Sequence, residues 1–281
     1  DLGIQTVAIY STADHSALHV QLADETVCVG EANSKDSYLN VNNIISAALL
    51  TQADAIHPGF GFLAENASFA RLAQACGLIF IGPKPEIIDL MGNKINARIA
   101  MHEAGVPLIP GSFEAIASLE EGINTANEIG YPIILKAAAG GGGRGIRIIH
   151  DEAAFRQAYD VLKQEAKNYF NDDALYMEKL FTSAKHIEVQ ILGDQFGNMI
   201  HLYERDCSFQ RRHQKMIEEA PCHLLNETQR KALCEDALKA AKAVGYDSVG
   251  TIEFLMDENF NYYFMEMNSR IQVETPVTEM M

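Results

Sequence analysis

The sequence predicts an α/β protein in two parts: a parallel-sheet domain at the N-terminus, then a larger mixed module containing a glycine-rich connection between strands. Two observations carry this. From residue 5 to about 90, strand and helix patterns alternate with short connections, the arrangement of a parallel sheet with helices packed on it. At residues 136 to 147 the run KAAAGGGGRGIR is entered by one strand pattern and left by another. A chain of 281 residues with 48% hydrophobic content can bury the cores of about two domains, and the spacing of the elements places the boundary near residue 84.

In the first part, strands are expected in TVAIYS, ADAIH and LIFIG, and helices in VNNIISAALLTQ, NASFARLAQACG and PEIIDLM. Gly77 sits where a left-handed C-cap closes a helix, and Pro83 and Pro85 punctuate the exit from the third strand. The second part opens with the helix NKINARIAMHEA, stopped by Gly105 and Pro107. Residues 112 to 180 read as a small module: helix LEEGINTANEIG, the glycine flap, helix DEAAFRQAYDVLKQEAKNYF and strand ALYMEKLF. Strands follow in HIEVQIL, MIHLYERDCS, VGTIEFLM and YYFMEMNSR, with one helix from Asn226, its N-cap, to about Val244, closed by Gly245.

Composition excludes several classes. The net charge of −16 opposes nucleic acid and anionic membranes, so an anionic ligand needs a concentrated positive site. No apolar run approaches the ~20 residues that span a bilayer. The five cysteines form no C-x-x-C pair, which argues against zinc and favours a reduced, cytoplasmic-type compartment.

Four consecutive glycines cost backbone entropy unless something must approach closely. Gly140, Gly142 and Gly145 satisfy G-x-G-x-x-G, but IRII follows as a strand where a dinucleotide fingerprint requires a helix. Strand, glycine loop, strand describes a flap over phosphates. Lys136 ends the apolar run PIIL, where an ammonium needs an anion or a route to solvent. The segment RDCSFQRRHQK, with Arg205, Arg211, Arg212 and Lys215, supplies a local positive site.

TIEFLM and YYFMEMN flank the turn DENFN, so they should pair as a hairpin. A turn centred on residues 259 and 260 sets Glu253 opposite Glu266, with Asn268 on the same face. Facing carboxylates at roughly 5 Å repel. A divalent cation resolves this, and two carboxylates with an amide oxygen suit Mg²⁺ shared with phosphates; a solvated polar face is the alternative. In NSRIQVETP, strand alternation puts Arg270, Gln272 and Glu274 on one face, able to hold a small planar anion and take its proton, or to form a surface salt bridge.

HPGFGFLAEN (57 to 66), MGNKINAR (91 to 98), KAAAGGGGRGIR, YMEKLFTSAKHIEVQIL, ERDCSFQRRHQK, TIEF and MEMNSRIQVETPVTEM fall in one order along almost the whole chain. Together they resemble the biotin carboxylase component of biotin-dependent carboxylases. The resemblance implies a Rossmann-like domain over residues 1 to 84 and an ATP-grasp domain over 85 to 281, with a glycine-loop lid at about 109 to 181. It implies ATP at Lys94, Lys136, Gly142, Gly143 and His213 for the phosphates, His186 and Gln210 towards the ribose, and Glu178, Lys179 and Phe181 beside adenine. It further implies Mg²⁺ or Mn²⁺ at Glu253, Glu266 and Asn268, and bicarbonate at Lys215, Arg270 and the Val273 backbone. Glu274 is then the base, and Arg270 steadies the reacting anions. The implied reaction forms carboxyphosphate from ATP and bicarbonate and carboxylates biotin on a carrier protein; a carboxyltransferase and a homodimeric subunit are the implied partners.

Asn93 and Thr275 depart from the family pattern, which usually has aspartate and histidine there. The first strand and helix of the N-terminal domain and the C-terminal domain with its biotin-facing arginine are also missing, so the chain is expected to be a fragment, itself inactive in carboxylation. Three rivals share some features: another ATP-grasp ligase resembling carbamoyl-phosphate synthetase or a purine-pathway enzyme, a non-catalytic nucleotide-binding module, and an NAD-dependent oxidoreductase. HPGFGFLAEN and RRHQK speak against the first, and the strand after the glycines against the last.

Overall fold

The computed structural model describes residues 2–139, 145–212 and 214–281. They form two compact units, Asp1–Asp89 and Leu90–Met281.

In the first unit, β1 (Val7–Ser11) pairs in parallel with β2 (Glu25–Gly30), and β3 (Ala55–Ile56) with β4 (Ile79–Phe80). Helices α1 (Leu18–Leu22), α2 (Val41–Leu50), α3 (Ala67–Ala75) and α4 (Pro85–Gly92) connect and follow them. Asn40 and Asn66 cap α2 and α3 by accepting from the backbone amides of Asn43 and Phe69. Their buried faces, Ile44, Ile45 and Ala48 with Phe69, Ala70 and Ala73, form one core with Leu78, Phe80 and Ile88. Alternation is therefore real and parallel, but β2 and α1 were not legible: α1 is one turn and a half and buries no residue. The third and fourth strands are only two residues each.

The second unit contains two antiparallel sheets. α5 (Lys94–Glu103) precedes α6 (Leu119–Ile129), and β5 (Ile133–Ala137) then lies between β6 (Ile146–Ile149) and β7 (Leu175–Lys179), with α7 (Glu152–Phe170) between the last two. β5 alternates strictly: Ile133, Leu135 and Ala137 are buried against α6 and α7, while Ile134 and Lys136 face the other way. Phe155, fully buried, fills the space that Gly122 of α6 leaves. Phe155→Ala should therefore destabilise this module by about 3–5 kcal/mol in chemical denaturation; a loss under about 1 kcal/mol would mean that the core is elsewhere.

The larger sheet has the order β10-β9-β8-β11-β12, from β8 (Lys185–Gly193), β9 (Met199–Arg211), β10 (Gln214–Glu219), β11 (Val249–Met256) and β12 (Tyr262–Asn268). α8 (Glu227–Ala243), capped by a reciprocal Asn226 and Gln229 box, lays Leu233, Cys234, Ala237, Ala240 and Ala241 in the core. α9 (Thr275–Glu279) ends the chain.

Candidate active site

The site grows from the face of β5 and β7 opposite their hydrophobic core. Lys136 and Glu178 project from neighbouring strands on that face and form an ion pair. Glu178 is buried and holds a second cation, Arg98 of α5, whose Nη1 donates to it at 2.6 Å. Arg98 Nη2 donates to the Ile109 carbonyl at 2.9 Å. This approach depends on Gly111, where a Cβ would lie 2.3 Å from the Met177 carbonyl oxygen. The Lys136 ammonium also lies 5.7 Å from the Tyr176 ring centroid. Burial first, and the neighbouring Glu178 charge second, push the Tyr176 hydroxyl well above its ordinary range.

A second cluster gathers on the large sheet, around Lys215 of β10. Its Nζ donates to Glu188 of β8, to Glu253 Oε1 of β11 at 2.9 Å and to Glu274 Oε1 at 2.8 Å. All three carboxylates are buried. Burial would drive the Lys215 proton off, but Glu253 and Glu188 overcome it and hold the ammonium above its ordinary range. Burial likewise opposes ionisation of Glu253, yet His186 and Lys215 together hold its carboxyl far below the ordinary range. His186 Nε2 lies 2.9 Å from Glu253 Oε2. Gln210 Nε2 lies 2.8 Å from His186 Nδ1 and donates to the Cys207 carbonyl at 2.9 Å.

The β11–β12 register does set Glu253 opposite Glu266, but by two compensating steps. The turn is tighter than expected: Asp257 Oδ1 accepts from the Asn259 and Asn261 amides, and Met256 pairs with Tyr262. A bulge between Glu253 and Phe254 then restores the pairing. Mutual repulsion is relieved within the protein itself. Glu253 has Lys215 and His186, while Glu266 accepts from Lys94 Nζ at 3.0 Å. Lys94 is the first residue of α5, whose N-cap Asn93 accepts from the Ile95 and Asn96 amides; the departure from aspartate keeps the cap. Burial opposes the Lys94 charge, but Glu266 wins and raises its pKa.

Two expectations are corrected. Residues 269 to 274 are not a strand: β12 ends at Asn268, and a turn closed by Thr275, whose Oγ1 accepts from the Gln272 amide, leads into α9. A proline two residues into the would-be strand's end, Pro276, suits a helix start instead. Gln272 and Glu274 are nevertheless buried while Val273 is exposed. Arg270 donates to the Ile271 carbonyl and to Asn268 Oδ1, both at 3.1 Å. Nor is Arg205 part of an open positive site. It is fully buried, and the expected basic loop is the β9–β10 hairpin, with Arg211 and Arg212 exposed.

The structure thus brings together Lys215, Glu253, Glu274, His186, Gln210 and Asn268, the last donating to Glu253 at 2.7 Å. Lys94 with Glu266, and Lys136 with Glu178, form adjoining pairs. Lys179 donates to the Gly130 and Tyr131 carbonyls at 2.8 and 3.2 Å, and Phe181 stacks on Tyr263 with centroids 5.1 Å apart. Gly142, Gly143 and His213 lie outside the described residues. Sequence reading missed Glu188 and Arg98, and named Gln272 only as sharing a face with Arg270 and Glu274. For Glu188 a signal existed: HIEVQIL carries Glu188 and Gln190 at period two inside an apolar strand, which marks a polar partner in the interior.

The description "Biotin carboxylase, N-terminal domain" matches residues 1–88, and "Carbamoyl-phosphate synthase L chain, ATP binding domain" matches residues 93–281. Biotin carboxylase 1 of Bacillus subtilis (strain 168) is 54% identical over 281 residues, covering 100% of this chain and 62% of its own length. Biotin carboxylase 1, chloroplastic, of Populus trichocarpa is 52% identical over 280 residues, 100% of this chain and 53% of its own. The chain therefore spans little more than half of these relatives. Among solved structures, a biotin carboxylase–β-γ-ATP complex from Campylobacter jejuni superposes with a TM-score of 0.95 at 52% identity, over 99% of this chain and 62% of the other. The biotin carboxylase domain dimer of Hydrogenobacter thermophilus 2-oxoglutarate carboxylase, with MgADP, ADP and bicarbonate, gives 0.93 at 52% identity, over 99% and 61%. With family matches end to end and an ATP-grasp fold shared with these structures, the chain belongs to the biotin carboxylase family.

Proposed function

We propose that this chain binds ATP and bicarbonate for the carboxylation of biotin on a carrier protein, the first half of a biotin-dependent carboxylation. The observation that carries this is Lys215: one ammonium joins a carboxylate of the metal pair, Glu253, to the carboxylate of the base, Glu274. A site for phosphoryl transfer to a small acid needs those two functions within one side chain of each other.

The residue types fit a small hard cation: Glu253 and Glu266 face each other, and Asn268, whose Nδ2 donates to Glu253 and whose Oδ1 accepts from Arg270, would turn that oxygen to the ion. Mg²⁺ or Mn²⁺ there would neutralise phosphate charge. Nucleotide arrival exchanges partners: Lys94 and Lys136 leave Glu266 and Glu178 for phosphate oxygens, so the charges of both lysines are held ready by carboxylates beforehand. Phe181 and Tyr263 offer an apolar wall for adenine, with His186 and Gln210 towards the ribose. Lys215, Arg270 and the Val273 amide hold bicarbonate, and Glu274 removes its proton as an oxygen attacks the γ-phosphorus, the bond from that phosphorus to the β–γ bridging oxygen breaks and ADP leaves, giving carboxyphosphate. Biotin, when presented, supplies the nitrogen that accepts the carboxyl group.

The module of about 109 to 181 acts as a lid on the rest of an ATP-grasp domain that begins near residue 85, after the N-terminal domain in sequence. The Campylobacter complex with β-γ-ATP and the Hydrogenobacter complex with MgADP and bicarbonate support the ligand set; the latter, a dimer, supports a homodimeric assembly. A biotin carboxyl carrier and a carboxyltransferase are the corresponding partners. Among the described residues no helix is long and apolar enough to cross a membrane.

ATP cleavage by the protein that carries this chain, measured with and without bicarbonate, tests the proposal. Cleavage should depend on bicarbonate, and calorimetry should show MgADP binding. Cleavage indifferent to bicarbonate would overturn it.

A further inference from the structure

Arg205 has no role in the reading above, and its surroundings are unusually complete. A guanidinium has five N–H donors. Here Nε donates to Glu188 Oε1 at 2.7 Å, Nη1 to Gln190 Oε1 and Thr278 Oγ1 at 2.8 Å each, and Nη2 to Gln272 Oε1 at 3.1 Å and Thr251 Oγ1 at 3.4 Å. These five acceptors come from β8, β11, the turn at 269 to 274 and α9. The side chain is fully buried, so each donor left without a partner would be costly.

The partners lead to the reacting groups by two routes. Glu188 takes Arg205 on one oxygen and Lys215 on the other. Gln272 accepts from Arg205 and donates to Glu253 Oε1 at 3.3 Å. Thr278 lies one helical turn beyond Glu274, the residue at the N-cap of α9. Glu274 makes no capping bond with its side chain, which turns to Lys215 instead. Three buried carboxylates, Glu188, Glu253 and Glu274, thus share Lys215, and Arg205 is the second permanent cation among them.

We propose that Arg205 is a positioning residue for the bicarbonate end of the site: it neutralises Glu188 and ties α9 to the sheet, holding Lys215 and Glu274 in place before substrate arrives. Without it, Lys215 is the ammonium left to neutralise Glu188 among the described residues, with His186 Nε2 further off at 4.0 Å, and it is drawn away from Glu274. The inference rests on the proposed roles of Lys215 and Glu274, although its geometric content does not.

The test uses Arg205→Lys, which keeps the charge but offers three donors in place of five, and Thr278→Val, which removes only the α9 acceptor. In the protein carrying this chain, Arg205→Lys should raise the KM for bicarbonate by about tenfold or more and lower kcat, while the Kd for MgADP from calorimetry stays within about twofold. A residue serving stability alone would lower the melting temperature and leave that split unmoved. If Arg205→Lys does not fold, Thr278→Val decides, with a bicarbonate KM up about threefold in support and an unchanged one against. A crystal structure of either folded variant gives an independent answer. Lys215 Nζ should no longer be within hydrogen-bond reach of Glu274, and an unaltered contact overturns the proposal whatever the kinetics. Wild-type protein without bicarbonate-dependent cleavage would sink the functional reading instead, leaving the crystallographic comparison to judge Arg205.

Discussion

Glu253→Gln should lower bicarbonate-dependent ATP cleavage by a factor of about 100 or more, close to 3 kcal/mol of transition-state stabilisation. Glutamine keeps the shape and removes the charge. Glu253 is the carboxylate most heavily committed to ionisation: Lys215, Asn268 and Gln272 donate to Oε1, and His186 faces Oε2. Glu266→Gln should match it, because Glu266 is the facing carboxylate and the partner of Lys94. Wild-type turnover at saturating Mg²⁺ in both variants would remove the metal assignment. Stability carries a signature as well. The folded Glu253 carboxyl is depressed below its ordinary value of 4.5, so its contribution is present above that pH and is lost as pH falls through the folded value. Lys215 is raised above 10.5, so its contribution is full below that pH and is lost only as pH climbs through the folded value. Glu253→Gln should therefore narrow the gap in melting temperature between pH 7 and pH 4, and an identical pH dependence in wild type and variant would contradict the pairing.

Glu274→Gln should reduce the rate by about 10²–10⁴-fold, the range for loss of a positioned proton acceptor, with MgADP affinity within about twofold of wild type. The separation follows from place. Among the described residues Glu274 meets Lys215, on the bicarbonate side, and it does no capping work for α9 despite its N-cap position. Its side chain forms no ion pair, among the described residues, with Lys136 or Lys94, the lysines assigned to phosphates, which pair with Glu178 and Glu266. Nucleotide affinity and rate falling together would make Glu274 structural.

Local pattern by itself determined the element types wherever one rule governed a segment. The period-two burial of β5 does not follow from it, since PIIL is a continuous apolar run and packing of α6 and α7 on one face separates Ile133 and Leu135 from Ile134. The helix starts at Asn66 and Asn226 and the strand on each side of the glycine run do follow from residues within a few positions of one another. The pairing of Glu253 with Glu266 was likewise legible, since a hairpin's register depends on its turn. Motif order along the chain carried the family. What tertiary structure alone decided was the assignment of charge. Lys136, Lys94 and Lys215 read as cations waiting for an anion, but each meets a carboxylate contributed from 27 to 172 residues away, a pairing no local rule encodes. Arg205 read as part of one local positive site with Arg211, Arg212 and Lys215, yet it is fully buried while Arg211 and Arg212 are exposed. Strand alternation and the buried carboxylate Glu188 settle that difference, because a buried guanidinium is stable only where five acceptors converge on it. The turn before α9 was decided in the same way: Gln272 and Glu274 are pulled inward by Arg205 and Lys215, and the backbone bends to let them reach.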